Sequence, residues 1–265
     1  MIVPTATRRS RRWAKTDVDH SPDDDTVCSV RAVLALLTFT GDRRTMVRDR
    51  NQATCGKTRL SEPDSQGAMM NENVLPRCGW LGNDPLMLRY HDEEWGVPVH
   101  DDRKWFELIL LDGFQAGLSW RTVLHKRAAF RDVFHNFDPE QVARMTEAQL
   151  EAARQNPAII RNRAKIRAAV KNARAFLRVQ EALGGFDDFV WSFTDGRVTH
   201  NHWRSLSEIP TTTPLSDELS KALKSKGFSF VGSTICYAFL QAAGVVNDHL
   251  ISCFRHQRLR ELSPS

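Results

Sequence analysis

After residue 76 the hydrophobic and polar positions recur with helical rather than strand periodicity. Lys104 to Leu111 (KWFELILL) carries apolar side chains at 105, 106, 109 and 110, a spacing near 3.6. Ser119 to Val133 continues the pattern. Asp138-Pro139-Glu140 predicts a helix start, with an acidic N-cap, Pro at the first position and Glu in the first turn. Thr146-Glu147 opens the next helix, with Leu150 and Ala153 on one face. Asn162 to Leu183 is a long amphipathic helix whose stripe is Ile166, Ala169, Val170, Ala173, Phe176 and Leu177. Ser216-Asp217 is expected to cap Glu218 to Lys226, which Gly227 ends behind Lys224 and Lys226. A further helix is predicted from about Thr234 to Ala243, closed by Gly244. Alternating β-branched and aromatic residues are scarce, so the fold class is all-α.

The chain is different upstream. Residues 1–68 mix charge, Ser, Thr and Pro with weak periodicity, and six of the seven Trp lie after residue 76. We read residues 1–70 as a poorly ordered N-terminal extension, with Met69-Met70 as an internal start, and residues 77–265 as one folded domain. With 41% hydrophobic and 26% charged residues, 14 Gly and 11 Pro, collagen-like, low-complexity and wholly disordered classes are excluded. The best apolar run, Ala32 to Phe39, has eight residues. A membrane span needs roughly 18. The basic start is separated from that run by Asp23-Asp24-Asp25, a poor secretory signal. Five Cys in a chain able to bury its own core argue against a disulfide scaffold, so the expected setting is cytoplasmic and reducing.

Charge then narrows the partner. The formal charge is +5, which points to polyanions, nucleic acid first. Residues 1–70 hold 12 basic and 9 acidic side chains, residues 71–265 hold 25 and 23. Within the second part, Arg154 to Arg178 contains eight basic residues and no acidic one, so the rest of it is net negative. Gln155 to Asn162 (QNPAIIRN) looks like a tight turn between two helices: Asn156 is pushed from the helical region by Pro157, and Asn162 can cap the helix that follows. Unpaired N–H groups there, with Arg161, Arg163 and Lys165 around them, suit a phosphate. A solvated helix face is the alternative. Such a face usually interleaves opposite charges three or four apart, so contact with a DNA backbone is favoured.

Two pairs of soft ligands flank this region. His249 and Cys253 are four apart, which on a helix would aim both from one face. Cys78 and His91 lie together in CGWLGNDPLMLRYH. Two thiolates and two imidazoles would complete a tetrahedral, structural zinc site joining the two ends of the domain. Taken alone, each pair is weak evidence, and a buried Cys and a satisfied core His are the commoner reading. Cys236 reads as a core thiol, and Cys28 and Cys55 fall in the extension.

The segments RCGW, YHDEEWGVP, LDGFQAGLSW, IIRNRAKI, DFVWSF, LSKALKSKGFSFVG and ICYAFLQAAGVVNDH closely resemble the DNA-3-methyladenine glycosylase I family, colinearly from Arg77 to about Cys253. The resemblance implies a bacterial, monofunctional base-excision enzyme with a helix-hairpin-helix glycosylase fold and one structural zinc per chain, nucleoid-associated and monomeric. Its substrate is double-stranded DNA containing alkylated bases. Cys78, His91, His249 and Cys253 match the zinc ligands, and Asn156 to Asn162, with Ala158 and Ile159 at its centre, matches the DNA-binding hairpin. Trp80, Tyr90 and Trp120 match the aromatic residues that contact the flipped base. Gly117-Leu118 matches the loop that plugs the duplex. Asp112 stands at the pocket carboxylate, which is Glu in other members. Met87 replaces a frequent pocket Tyr, and Ala158 stands where the hairpin often has Gly.

That assignment explains the sparse catalytic machinery. Adenine alkylated at N3 is cationic, so its glycosidic bond is already weak. The enzyme need only extrude the nucleotide, hold the base between π faces and favour its charge. Asp112, placed where LILL runs into a loop before Gly113, would accept from the base edge and stabilise that charge. No Schiff-base lysine is expected, since Lys165 and Lys171 read as phosphate-facing. No Gly-Pro-Asp follows the hairpin, and water is the expected nucleophile. Trp95, Trp105, Trp191 and Trp203 are expected in the core. Two other readings are a non-catalytic DNA-damage-binding module with the same fold and a catalytic zinc hydrolase.

Overall fold

Helix starts are written into this chain as side-chain acceptors. The computed structural model describes residues 75–262. Residues 1–70, with Cys28, Cys55 and the 32–39 run, lie outside the described residues, as do the last three residues. Asp84 opens α1 (Pro85–Glu93) by accepting from Leu86 and Met87 N–H at 3.0 and 3.4 Å, Asp101 opens α2 (Asp102–Gln115), and Ser119 opens α3 (Trp120–Val133). Asp138 caps α4 (Pro139–Ala143) as predicted. Thr146 and Gln149 form a reciprocal capping box on α5 (Glu147–Gln155). Asn162 caps the 21-residue α6 (Arg163–Leu183), which ends at Gly184 with φ +90°. Then follow α7 (Phe186–Trp191), α8 (Pro214–Ser225), α9 (Ser233–Ala242) and α10 (Phe254–Leu262).

The described residues are mostly helical, as expected. Their strand content is β1 (Thr199–His200) and β2 (Val246–Asn247), paired in parallel with Thr199 opposite Val246. At the centre lies α2, whose residues 105–114 are all buried and which packs against α3, α6, α7 and α9. Aromatic side chains fill the space around it, among them Trp105, Phe106, Phe130, Phe176, Phe186 and Phe239, each buried.

Two boundaries depart from the sequence reading. α8 begins at Pro214 behind Thr213, not at Glu218 behind Ser216-Asp217. Thr213 supplies the cap and Pro214 the preorganised first position, so Ser216 becomes a buried third residue whose hydroxyl accepts from Thr213 N–H at 2.8 Å. Asp112 lies in the last turn of α2 rather than at a helix-to-loop transition, because buried Phe114 carries the helix past Gly113.

Among the described glycines, Gly244 has the tightest surroundings. Its φ is +71°, and a Cβ there would sit 2.4 Å from Pro98 N and Val97 C. The segment after Trp95 therefore crosses directly over the turn that leaves α9.

Candidate functional site

Cys78, His91, His249 and Cys253 converge in the interior, all buried, with their ligand atoms within 4.8 Å of one another. Cys78 stands in the irregular segment before α1, and His91 on the last turn of α1. His249 and Cys253 do not share a helix, contrary to the spacing argument. They sit in the turn before α10, where Cys253 N–H donates to Leu250 carbonyl at 2.7 Å. The turn still brings Cys253 Sγ to 3.5 Å from His91 Nε2 and 3.6 Å from His249 Nδ1.

Each imidazole turns its other nitrogen to a fixed oxygen. His91 Nδ1 meets Asp92 Oδ1 at 2.7 Å, and Arg77 grips the same carboxylate; His249 Nε2 meets Trp95 carbonyl at 3.1 Å. Such outer contacts fix the tautomer that presents a lone pair inward. Leu250 N–H also points at Cys78 Sγ, 3.4 Å away. The facing sulfur of Cys78, with both imidazoles, holds the Cys253 thiol far below its ordinary pKa, while the same contact and burial push Cys78 up. A buried S2N2 set with oriented imidazoles fits a tetrahedral cation, and its four protein donors leave no open position.

Trp80 and Trp95, which pack on the rings of His91 and His249, also line a cavity of about 200 Å3, together with Tyr90, Asp112, Gln115, Trp120, Ile209, Ala238, Gln241 and Ala242. Trp80 packs edge-on against the rings of His91 (5.6 Å) and Trp95 (5.2 Å), and Tyr90 lies 5.0 Å from Trp120. The fold thus brings together Trp80, Tyr90, Trp120 and Asp112, the group expected from the sequence. Gln115 and Gln241 join them without having been expected. Trp95 is buried as expected but also lines this cavity, while Met87 is buried in α1 and does not line it. Trp203 is half-buried, donating from Nε1 to Asp248 at 2.8 Å.

The polar atoms of the cavity are unequal. Asp248 is buried and accepts from Asn201, Trp203, Tyr237 and Gln241, the last at 2.7 Å through Nε2. A carboxylate only accepts, so it fixes the Gln241 amide with its N–H2 inward and leaves Oε1 as the free end. Nearby, Glu107 and Glu94 share Arg127 and Lys104. Burial would raise Glu94, but the Arg127 hydrogen bond and Lys104 outweigh it and hold it down at about 2. Asp112 has no such partner. It is 1% exposed, its Oδ2 makes no hydrogen bond, and burial alone pushes its pKa well above the usual carboxylate range. Trp120 Nε1 is a buried donor with no acceptor. A carboxyl oxygen and an indole N–H left unmet on one cavity wall is an arrangement that a polar ligand completes.

The loop between α2 and α3 borders the cavity. Gly117 has φ +75°, with no atom within 4 Å of the place a Cβ would take, and Leu118 is 39% exposed. They join Gln115 to Trp120, both cavity residues. The 156–162 turn is held by Asn156 Oδ1, which accepts from Ala158 N–H at 2.9 Å, and by Lys126, which donates to Pro157 and Ala158 carbonyls at 3.1 Å each. Within the turn, the Ile159 side chain is 2% exposed and anchors it in the core. Arg161 and Arg163 are exposed and form no ion pair among the described residues.

The basic run is largely spent on the protein itself. Arg154 pairs with Glu151, Arg167 with Glu147, Arg174 donates to Ala143 carbonyl and Arg178 to Lys226 carbonyl. Lys171 reaches Ser229. Lys165, expected to face phosphate, is 7% exposed, and its ammonium donates to Phe114 and Ala116 carbonyls.

A family model described as methyladenine glycosylase matches residues 80–256. The chain is 54% identical over 179 residues to DNA-3-methyladenine glycosylase 1 of Escherichia coli (strain K12), covering 68% of this chain and 96% of that protein. It is 49% identical over 180 residues to the DNA-3-methyladenine glycosylase of Haemophilus influenzae, covering 68% and 97%. A crystal structure of 3-methyladenine DNA glycosylase I superimposes with a TM-score of 0.66 at 56% identity, over 68% of this chain and 98% of that one. The Staphylococcus aureus protein, solved for its recognition of 3-methyladenine, gives 0.66 at 36% identity, over 67% and 95%.

Proposed function

Because the chain belongs to the methyladenine glycosylase family, we propose that it excises N3-alkylated adenine from double-stranded DNA by hydrolysing the N-glycosidic bond, without lyase chemistry. The observation that carries this reading is the unmet Asp112 oxygen in a small aromatic cavity beside an exposed Gly117-Leu118 loop. About 200 Å3 is below the roughly 300–1,000 Å3 of drug-sized sites and suits a single bicyclic base.

The steps follow from the groups in place. The 156–162 turn of a helix-hairpin-helix docks on the backbone through Arg161 and Arg163, and Leu118 fills the gap left by the extruded nucleotide. Tyr90, Trp80 and Trp120 face the base, and burial keeps the Tyr90 phenol neutral. Asp112 faces the cationic ring and accepts from its edge, with Gln241 offering a second acceptor. The C1′–N bond breaks, its electron pair returns to the base, and a neutral base leaves. Water adds its oxygen to C1′ and loses a proton to solvent. Asp112 favours the charged base over ordinary adenine because a buried carboxylate is costly until a cation meets it.

Cys78, His91, His249 and Cys253 would hold one zinc ion, whose closed coordination gives structure rather than a nucleophile. That supports the glycosylase over a zinc hydrolase. The enzyme acts as a cytoplasmic monomer through residues 77–265. Incubating the protein with methylated duplex DNA tests the reading: free 3-methyladenine should appear, and its absence, with DNA binding intact, would instead support the non-catalytic module.

Charge placement gives a separate expectation. If Arg161 and Arg163 are the phosphate contacts, the double substitution to Ala lowers the salt slope of log affinity for undamaged duplex by about 1.8, near 0.9 per lost contact. Arg167→Ala and Arg174→Ala, whose charges are engaged by Glu147 and a carbonyl, should leave it nearly unchanged. Equal slopes for all of these variants would refute the assignment.

A further inference from the structure

Lys165 occupies an unusual place for a cation in a DNA-facing region. Its Nζ donates to Phe114 carbonyl at 2.9 Å and Ala116 carbonyl at 2.5 Å, and the ring of Phe230 lies 6.0 Å away. Those carbonyls belong to the end of α2, where acceptors have no partner within the helix and a cation is favoured. Immediately beyond, the chain reverses: Leu118 N–H closes on Gln115 carbonyl at 2.6 Å, with Gly117 at φ +75° between. The direction in which Leu118 projects is thus set at the carbonyls that Lys165 holds.

The other end of the same residue belongs to the hairpin. Lys165 is in the first turn of α6, and its backbone N–H donates to Asn162 Oδ1 at 3.1 Å, the bond that caps the helix after the 156–162 turn. One residue therefore ties the exit of the hairpin to the root of the loop. Burial also lowers its pKa, consistent with an ammonium kept from solvent by its carbonyl partners.

We propose that Lys165 is a positioning residue that couples the two DNA-contacting loops: its buried ammonium fixes Leu118 relative to the 156–162 hairpin, so that docking on the backbone places Leu118 against the nucleotide to be extruded. The inference rests on the reading of those loops given above. It differs from a phosphate contact in what its loss changes.

In the full chain, Lys165→Met should lower the kcat for release of 3-methyladenine from methylated duplex by about tenfold or more, as a misplaced reacting group does. Preference for a duplex holding an abasic-site analogue over undamaged duplex should shrink. Binding of free 3-methyladenine, followed by tryptophan fluorescence, should stay within about twofold, a shift well under one decade of affinity. The salt slope on undamaged duplex should not move. Leu118→Ala should lower release as well, and the double variant should lose no more than the worse single one.

A slope reduced by about 0.9 would mark a phosphate contact and overturn the proposal. So would additive losses with Leu118→Ala, or free-base binding that falls in step with excision. Should Lys165→Met fail to fold, Lys165→Gln keeps a donor at the buried position without the charge, and the same readouts apply. A wild-type chain that releases no base removes the functional reading itself. A wild-type chain that does so, matched by Lys165→Met, removes this inference alone.

Discussion

Asp112→Asn should lower excision of 3-methyladenine from methylated duplex by about 100- to 1,000-fold, the cost of removing one preorganised electrostatic contact from a buried site. The same substitution should raise the thermal stability of the free protein. Asp112 is buried with one oxygen unmet, so its ionised form is penalised in the folded chain and its pKa lies above the unfolded value. The sign follows by linkage. A carboxyl with a raised folded pKa gives its full stability below the unfolded value near 3.9, and that stability is lost as pH rises toward the folded pKa. The gain from Asn should therefore be small at about pH 4 and grow as pH increases, levelling above the folded pKa.

Opposite movement of activity and stability is the signature of a group kept for its ligand rather than for the fold. Melting curves across pH, with base release measured in parallel, check both halves. An Asn variant that is active, or one destabilised at every pH, would show that Asp112 has a purely structural place. Asp112→Glu adds a third arm. Glu is longer by about one C–C bond, ~1.5 Å. A large rate gain would mean that Asp falls short of the base, whereas no gain would mean that the backbone already brings it within reach.

The second large effect concerns the Cys2His2 cluster. Purified protein should carry about one zinc per chain, and Cys253→Ala should lose it. Breaking a closed structural site leaves two imidazoles and one thiol buried without their common partner. A cost of about 3–5 kcal/mol, near that of breaking a buried charged pair, corresponds to a drop in Tm of roughly 6–20 °C for a domain of this size. Chelation at elevated temperature should approach the same curve. Trp80 packs on His91, so base binding should weaken in the stripped protein before binding to undamaged duplex does. A Cys253→Ala protein that retains both metal and Tm would refute the site.

Much of the fold and site is legible in the sequence, and the gaps have physical causes. Asp138-Pro139 announces α4, and Asp84-Pro85 carries the same signature for α1, which periodicity does not reveal. The metal ligands are legible as residue types, while the helix inferred between His249 and Cys253 is a turn. The basic run is real as a count and misleading as a surface. Long cationic side chains fold back on carbonyls contributed by distant segments, and nothing local to residue 165 reports that the Ala116 carbonyl lies 2.5 Å from its Nζ. Gln241 escapes notice for a similar reason: its orientation depends on Asp248, which is itself held by donors from three other positions.

The contact at Gly244 sets a mechanical tolerance for the cavity. On one side of that crossing, the 96–98 segment leads back to Trp95 and, through Gly96, lies against His249. On the other side, the chain leads back into α9, which carries Ala238, Gln241 and Ala242. Two parts of the cavity lining are thus spaced by backbone against backbone, with no side chain acting as a shim. Packing changes elsewhere in the core can be absorbed by rotamers without altering that gap, whereas a single methyl group at Gly244 would force it open.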